Sequence, residues 1–263
     1  MTCKPGGGGP MRFEVPFLHG TSDLVPPELE GLLLVGDLQC FDPSASREQD
    51  RSLLGFLAAA EIAALCDCGL LPPADRIGVL LTGDLFAIPT LMKRGGTGDV
   101  DGIWLEFAKH FRWVAGVAGN HDLFEGRGAF CGALMQHQNI HPLDGTSVEL
   151  DGLRVGGVSG VLGTRRTGKP WRHSADELSE KLLAALSSSP DLLLLHEGPI
   201  SASQHSGGNS QINEHLGIVS RPPLVAFGHR HWPEPWNEAG KFRFLNLEAR
   251  IVLLTRESAA VAL

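Results

Sequence analysis

Five short segments of this sequence carry side chains that bind metal ions or transfer protons. Their donors are carboxylates, amides and imidazoles, at Asp37 and Gln39; at Asp84; at Asn120, His121 and Asp122; at His196; and at His229 and His231. Carboxylate and amide oxygens favour hard ions such as Mn²⁺ and Mg²⁺, whereas imidazole also suits Zn²⁺ and Fe. The mixture therefore predicts a site for Mn, Fe or Zn.

Each of these segments follows a short apolar run. The runs are Leu32–Val35, Gly78–Leu81, Trp113–Val117, Leu192–Leu195 and Leu224–Phe227. Continuous apolar runs of this length are typical of strands that are covered on both faces. Since ligands of open α/β sheets bind at the carboxyl ends of strands, the donors of all five segments are expected to converge.

Helical patterns lie between several of the predicted strands. Ser46–Leu65 is rich in Leu, Ala and Glu, and Ile103–Phe111 is shorter. Ser174–Leu186 opens on Ser174 as a predicted N-cap, with Glu177 three residues later. Strands that alternate with helices favour an α/β architecture.

The remaining strand signals are not those of a purely parallel sheet. Asp151-Gly152 predicts a hairpin turn, Lys241–Leu247 alternates, and Ile251–Thr255 is apolar. Two sheets that face each other would accommodate all of these runs.

Each donor also has an ordinary structural interpretation. A single histidine after a strand, such as His196, is more often structural than a ligand. Asp37 and Asp84 could cap helices, and Asn120 could be a turn residue that tolerates left-handed backbone. The placement of Asp37 and Asp84 after apolar runs, each in a Gly-Asp pair, favours the metal site, and so does the order of all five segments.

Length and hydropathy predict one domain, residues 11–263, after a disordered tail at residues 1–10 that includes four consecutive glycines. No apolar run reaches the roughly 18 residues that span a bilayer, so no membrane partner is expected. The first residues contain no apolar segment typical of an export signal. A cytoplasmic location is therefore predicted.

The charge and the cysteines bear on partners and compartment. The net charge of −8 argues against binding to duplex nucleic acid. The five cysteines are an odd number, so reduced thiols are expected, with Cys66 and Cys68 both buried. The sequence leaves the oligomeric state open.

The motifs, in their order along the chain, resemble those of the calcineurin-like metallophosphoesterase superfamily. They are Asp-x-Gln at Asp37, GDLF at Gly83–Phe86, GNHD at Gly119–Asp122, a single histidine before EGP at His196, and GHRH at Gly228–His231. Five motifs in this order are far more specific than any one of them. The resemblance implies an α/β fold of four layers, an α-β-β-α sandwich of two mixed sheets flanked by helices.

The resemblance also implies a binuclear centre of two divalent metal ions, with manganese expected first and iron, zinc or magnesium as alternatives. The implied ligands are Asp37, Gln39 and His231 for the first ion, Asp84 as the bridge, and Asn120, His196 and His229 for the second. A metal-bound hydroxide would attack phosphorus. His121 would protonate the leaving oxygen or hold the phosphate.

Two positions depart from the family pattern. The first motif usually ends in histidine, whereas the oxygen of Gln39 is neutral, so the first metal site is expected to be weaker or to tolerate Mn²⁺ better than Zn²⁺. Alternatively, Gln39 only binds a water molecule. The second motif usually carries another Asp, which orients the catalytic histidine in the protein phosphatase branch, but this position is Ala87. Asp122, next to His121, is the other catalytic candidate, although neighbouring side chains often point apart.

Two loops complete the sequence-based picture. Arg165 and Arg166 lie in a basic stretch that could steer a phosphorylated substrate, and a solvated loop is the alternative. The segment GTGDVDG at residues 96–102 lacks the later Glu of a calcium-binding loop, so it is predicted to be a surface loop.

We therefore expect a metal-dependent phosphoesterase that hydrolyses a small phosphomonoester or phosphodiester, such as a nucleotide. One alternative is an enzyme resembling the Ser/Thr protein phosphatases. Another is a non-catalytic member of the same fold that binds a partner. The sequence contains neither a Gly-x-Ser-x-Gly elbow nor a phosphate-binding Gly-Lys-Ser/Thr loop.

Overall fold

The computed structural model describes residues 2–3, 11–12, 14–42, 52–88, 96–164, 170–201 and 207–256. Its strands are β1 Thr2–Cys3, β2 Met11–Arg12, β3 Phe17–Thr21, β4 Gly31–Gly36, β5 Ile77–Leu81, β6 Gly98–Asp99, β7 Trp113–Gly116, β8 Asp122–Leu123, β9 Ile140–Pro142, β10 Thr146–Leu150, β11 Leu153–Val158, β12 Val161–Leu162, β13 Arg172–His173, β14 Leu192–Glu197, β15 Leu224–Gly228, β16 Trp236–Ala239, β17 Phe242–Asn246 and β18 Arg250–Thr255. Its α-helices are α1 Leu54–Asp67, α2 Asp101–His110, α3 Gly132–Met135, α4 Ala175–Ser187 and α5 Ser210–Ile218.

The long strands form two mixed sheets of six strands each. The first sheet has the order β3-β18-β4-β5-β7-β9, in which β4, β5, β7 and β9 are parallel and β18 runs antiparallel to β4. The second has the order β10-β11-β14-β15-β17-β16, in which the edge strands β10 and β16 are antiparallel to their neighbours. Short pairs join β1 to β2, β6 to β8, and β12 to β13.

Three apolar clusters hold the layers together, and strand β4 shows how. Leu32 and Leu34 pack between the two sheets, whereas Leu33 and Val35 pack outwards with α1 and α2. Successive strand residues point to opposite faces, so a strand covered on both sides must be apolar throughout. A third cluster packs α4 and α5 against the outer face of the second sheet. The α-β-β-α sandwich expected from the sequence is confirmed.

The helices differ from the predicted ones mainly at their ends. Helix α1 begins at Leu54, and residues 46–51 of the predicted helix lie outside the described residues. Helix α4 begins as predicted, because the Ser174 hydroxyl accepts from the Glu177 N–H and the Glu177 carboxylate accepts from the Ser174 N–H. This reciprocal capping satisfies two N–H groups that the helix itself leaves unpaired.

The predicted hairpin turn is present between β10 and β11. Leu150 and Leu153 are paired, so Asp151 and Gly152 form a two-residue turn with φ values of 51° and 85°. Two central residues with positive φ match the right-handed twist of the flanking strands.

The cysteines depart from the sequence-based expectation. Cys40 is disulfide-bonded, so the prediction of uniformly reduced thiols is wrong at this position. Cys66, Cys68 and Cys131 are free, but Cys68 is exposed, whereas a buried side chain was expected. Disulfides are typical of oxidising compartments, so the cysteines no longer support the predicted cytoplasmic location.

Part of the N-terminal segment is described. Thr2–Cys3 pairs antiparallel with Met11–Arg12, and residues 4–10 of the predicted disordered tail lie outside the described residues. Within the described ranges, no helix is long and apolar enough to cross a membrane.

Candidate metal centre

The segments that follow β4, β5, β14 and β15 meet at one edge of the sandwich. The Asp37 N–H donates to the Gly83 carbonyl at 2.9 Å, which joins the ends of β4 and β5. His196 Nδ1 lies 2.8 Å from the Thr82 carbonyl oxygen, which joins the two sheets. The His229 N–H donates to Asp37 Oδ2 at 2.9 Å. The convergence expected from the strand ends is therefore present in the fold.

Three of the candidate ligands have left-handed backbone conformations. The φ angles are 51° at Asp37, 54° at Asp84 and 63° at His229. This conformation is uncommon for residues other than glycine, and such strain is found disproportionately at functional sites. The sharp turn of the chain at these three residues is thus a property of the site itself.

Two glycines allow the main chain to contact the buried carboxylates. A Cβ atom at Gly119 would lie 2.1 Å from Asp84 Oδ1, and one at Gly228 would lie 2.0 Å from Asp37 Oδ2. Any larger residue at either position would displace a carboxylate oxygen. The requirement for glycine here comes from close approach.

Asp84 lies at the centre of the polar cluster. Its side chain is almost fully buried, with 3% exposure. Oδ1 accepts from the His121 N–H at 2.9 Å, and Oδ2 accepts from Gln39 Nε2 at 2.8 Å and lies 3.5 Å from His196 Nε2. Asp84 thus contacts three of the other candidate residues.

His196 is fully buried and its orientation is fixed from one side. The Thr82 carbonyl can only accept, so Nδ1 carries the proton in that contact. Nε2 then faces Asn120 Oδ1 at 3.2 Å and the Asp84 carboxylate. Ligand atoms of Asp84, His196 and His229 all lie within 4.8 Å of one another. This is the arrangement by which a protein presents an imidazole nitrogen to a metal ion.

The pKa values show that the cluster accommodates one positively charged imidazole ring and opposes a second. Burial opposes the charged ring of His196, but the carboxylates of Asp84 and Asp37 outweigh it and raise its pKa to about 10. Burial and the neighbouring His196 lower the pKa of His229 to about 3. Burial, together with the negative charge of Asp84, raises the pKa of Asp37. Buried carboxylate oxygens and imidazole nitrogens are the donors that divalent metal ions take, so the residues fit such an ion.

The candidates for the first metal ion are arranged less tightly. Gln39 uses its amide N–H to hold Asp84 Oδ2. The side chain of His231 is 62% exposed, and its Nδ1 lies 2.9 Å from Oε2 of Glu248. Asp37 and Gln39 therefore line the site, whereas His231 lies at its rim beside a carboxylate.

The two catalytic candidates have different environments. The Asp122 side chain is fully buried and accepts from the backbone N–H groups of Asp84, Leu85 and Gly119 at 2.8–2.9 Å. Burial, and then the charge of Asp84, raises its pKa to about 6. His121 is part-buried, and its Nδ1 lies 3.3 Å from Oγ1 of Thr97. Asp122 thus fixes the loops that carry the ligands.

The predicted substrate residues Arg165 and Arg166 lie outside the described residues. The strands on either side of them, β12 and β13, pair with each other. The Leu162 N–H also donates to Glu197 Oε2 at 2.8 Å, and Glu197 directly follows His196. The end of β12 at Leu162 is therefore held beside the end of β14.

Three residues of the site were not singled out by the sequence. Thr82 holds His196 through its carbonyl, Glu248 contacts His231, and Thr97 contacts His121. Thr82 directly follows β5 and Glu248 follows the end of β17, so the rule that ligands gather at the carboxyl ends of strands could have found both. Nothing in the local sequence distinguishes Thr97.

Together these features define an α/β sandwich protein with a cluster of residues that could hold a metal ion. The family model for calcineurin-like phosphoesterase matches residues 32–233, well over half of the sequence. The chain belongs to the calcineurin-like phosphoesterase family, which is a family of metal-dependent phosphoesterases.

A solved structure has a similar fold. The crystal structure of the protein TT1561 from Thermus thermophilus is similar with a TM-score of 0.51 and 15% sequence identity, over 87% of this chain and 90% of that chain. At this identity the likeness shows the fold alone. None of the curated proteins matches the sequence.

Proposed function

We propose that this protein hydrolyses a small phosphomonoester or phosphodiester, such as a nucleotide. The reaction would use two divalent metal ions, and Mn²⁺ is the metal expected first. The observation that carries the proposal is the convergence of Asp84, His196 and His229 within 4.8 Å in a chain of this family. The largely oxygen-based set, with Asp37, Gln39 and Asn120 beside the imidazoles, is what favours manganese.

The residues that would hold the ions follow from the contacts. Asn120, His196 and His229 would bind one ion, and Asp84 would face both. Asp37, Gln39 and His231 would bind the other. When bound, such ions act as Lewis acids that polarise a phosphoryl oxygen and acidify a water molecule.

Glu248 would complete the set by orienting His231. Its carboxylate can only accept, so Nδ1 of His231 donates to it and Nε2 is left as the ligand atom. A carboxylate that holds the second nitrogen of a metal-binding imidazole fixes both the tautomer and the ring orientation. The contact between Glu248 and His231 therefore supports the site on its exposed side.

The side chain of His121 would supply the proton. Its backbone N–H is anchored on Asp84 Oδ1, so its ring is carried at a fixed place beside the cluster. The leaving oxygen gains a proton from the ring as the bond to phosphorus breaks, and general acid catalysis of this type contributes about 10²- to 10⁴-fold. Arg165 and Arg166 would attract the phosphorylated substrate.

Hydrolysis of p-nitrophenyl phosphate and of its bis-ester with Mn²⁺ tests the proposal. We expect turnover that a chelator abolishes and added Mn²⁺ restores. Asp84→Asn should lose both metal binding and turnover, and His121→Ala should retain metal binding and lose at least about 10²-fold in turnover.

His19→Ala provides the matched control, because His19 is exposed and contacts only Thr255 among its described hydrogen bonds. It should hydrolyse both esters like the wild type. Turnover that survives complete removal of metal would refute the proposal. Bound Mn²⁺ without turnover on any ester would favour a non-catalytic, partner-binding protein, and activity confined to phosphopeptides would favour a protein phosphatase.

A further inference from the structure

We propose that Thr97 is a positioning residue for His121, through a hydrogen bond between its hydroxyl and Nδ1 of the ring. The two atoms lie 3.3 Å apart. The inference rests on the proposed function, because it assigns Thr97 to the proton transfer that His121 would perform. Thr97 does not touch the substrate in this proposal.

The segment that carries Thr97 is held against the segment that carries His121. The Gly98 N–H donates to the His121 carbonyl at 3.2 Å, and the Val100 N–H donates to the Leu123 carbonyl at 3.0 Å. Strands β6 and β8 pair in parallel over the same residues. The predicted surface loop at residues 96–102 therefore includes the two-residue strand β6 and the start of helix α2, and β6 fixes it to the proposed catalytic loop.

Two further contacts make this placement rigid. Asp99 Oδ1 accepts from the Gly126 N–H at 2.6 Å, beyond the end of β8. A Cβ atom at Gly98 would lie 2.3 Å from the ring of Phe86, so the backbone of this segment packs directly on that side chain. Thr97 is thus presented to His121 by a fixed backbone.

The side chains at positions 87 and 122 show why the contact between Thr97 and His121 matters. Ala87, four residues after Gly83, is buried and carries no polar side-chain atom. The Asp122 carboxylate faces the backbone N–H groups of Asp84, Leu85 and Gly119. The geometry therefore assigns a part in orienting the His121 ring to a neutral hydroxyl.

The hydroxyl fits the proton transfer. Nδ1–H of His121 donates to Thr97 Oγ1 before the reaction, and the same bond persists afterwards. The proton that leaves is the one on Nε2: its N–H bond breaks, an O–H bond forms on the leaving oxygen, and the ring becomes neutral with its proton on Nδ1. No second residue is needed to accept or donate a proton in this step.

Paired substitutions test the assignment. Thr97→Val keeps the shape of the side chain and removes the hydroxyl, so turnover should fall about five- to tenfold, the effect of losing one long, solvent-exposed hydrogen bond. The loss should be larger for an alkyl phosphate than for p-nitrophenyl phosphate, because a more basic leaving oxygen depends more on proton donation. Thr97→Ser should recover turnover to within about twofold.

A double-mutant cycle separates positioning from general damage. In a His121→Ala background, Thr97→Val should cause no further loss, since the two residues act as one unit. Thr21→Val, on the exposed edge strand β3, is the control and should behave as the wild type. A Thr97→Val enzyme with wild-type turnover, or an equal loss in the His121→Ala background, would overturn the assignment.

Nuclear magnetic resonance of the ¹⁵N-labelled histidine rings gives a readout that does not depend on turnover. In the metal-free protein, the neutral ring of His121 should favour the Nδ1–H tautomer, and Thr97→Val should reduce that preference. A ring signal that is unchanged in Thr97→Val would overturn the positioning role. If the wild type hydrolyses no ester but the ring signal responds, the proposed function fails and the Thr97–His121 contact stands.

Discussion

Gly228→Ala is the substitution that most directly probes the packing of the main chain against the metal site. The new Cβ would lie 2.0 Å from Asp37 Oδ2, whereas ordinary contacts begin at 3.4 Å, so the oxygen must move by about 1.4 Å. The other atoms near this Cβ are no closer than 3.2 Å. The clash is therefore confined to the end of one carboxylate.

The carboxylate can escape only by giving up its bond from the His229 N–H, which is 2.9 Å long. Overpacking of this kind costs about 1–3 kcal/mol of stability, so the protein should still fold. Displacement of a reacting or ligating group by about 1 Å costs on the order of 10²-fold in rate. We therefore expect Gly228→Ala to weaken Mn²⁺ binding at least tenfold and to lower turnover by about 10²-fold.

Calorimetric titration with Mn²⁺, together with urea unfolding, measures both effects. Gly217→Ala is the matched control: it lies in helix α5, and a Cβ there meets nothing within 4 Å. It should bind Mn²⁺ normally and gain up to about 1 kcal/mol of stability. Normal Mn²⁺ affinity in Gly228→Ala would refute the argument that Asp37 is a ligand held by close approach.

Three further predictions follow from the contacts around the site and from one distant ion pair. Asp122→Asn should lower the free energy of unfolding by about 2–4 kcal/mol in urea titrations. The reason is that the amide nitrogen must face one of the buried N–H groups that the carboxylate now satisfies. An unchanged midpoint would contradict this. Glu248→Gln should weaken Mn²⁺ binding about 10- to 100-fold in calorimetry through the loss of support for His231, and equal affinity would argue against that role. Hydrogen bonds from Arg112 hold the pKa of Asp151 below its usual value of about 3.9, so the stabilisation is present above that pH and is lost as the pH falls through the folded-state pKa. The stability advantage of the wild type over Asp151→Asn should therefore be present at neutral pH and decline in acid, and a pH-independent difference would exclude this ion pair as its cause.

The apolar runs predicted the two sheets because strand residues alternate between layers. Leu33 and Leu34 belong to different clusters on opposite faces of one strand, so an uninterrupted run was the correct signal for burial on both sides. The ends of these strands then located Asp84, Asn120 and His196, because parallel strands deliver their ends to one edge.

The contacts that depend on tertiary structure could not be predicted in this way. The Thr97 hydroxyl reaches His121 only because β6 pairs with β8, and neither strand has more than two residues. The orientation of the Gln39 amide towards Asp84 depends on the turn at Asp37. No sequence pattern predicts the φ of 51° at this residue. Local patterns specify which elements form, whereas these contacts depend on how the elements are placed.

The most direct test of the metal centre is a crystal of the protein soaked with Mn²⁺ and measured at an X-ray energy where manganese scatters anomalously. We predict two peaks that share Asp84, one beside His196 and His229 and the other beside Asp37 and Gln39. Asp84→Asn crystals under the same conditions should lose both peaks. The account would be contradicted if saturating Mn²⁺ gave no peak at this edge of the sandwich. It would also be contradicted if Mn²⁺ bound elsewhere and equally in both proteins.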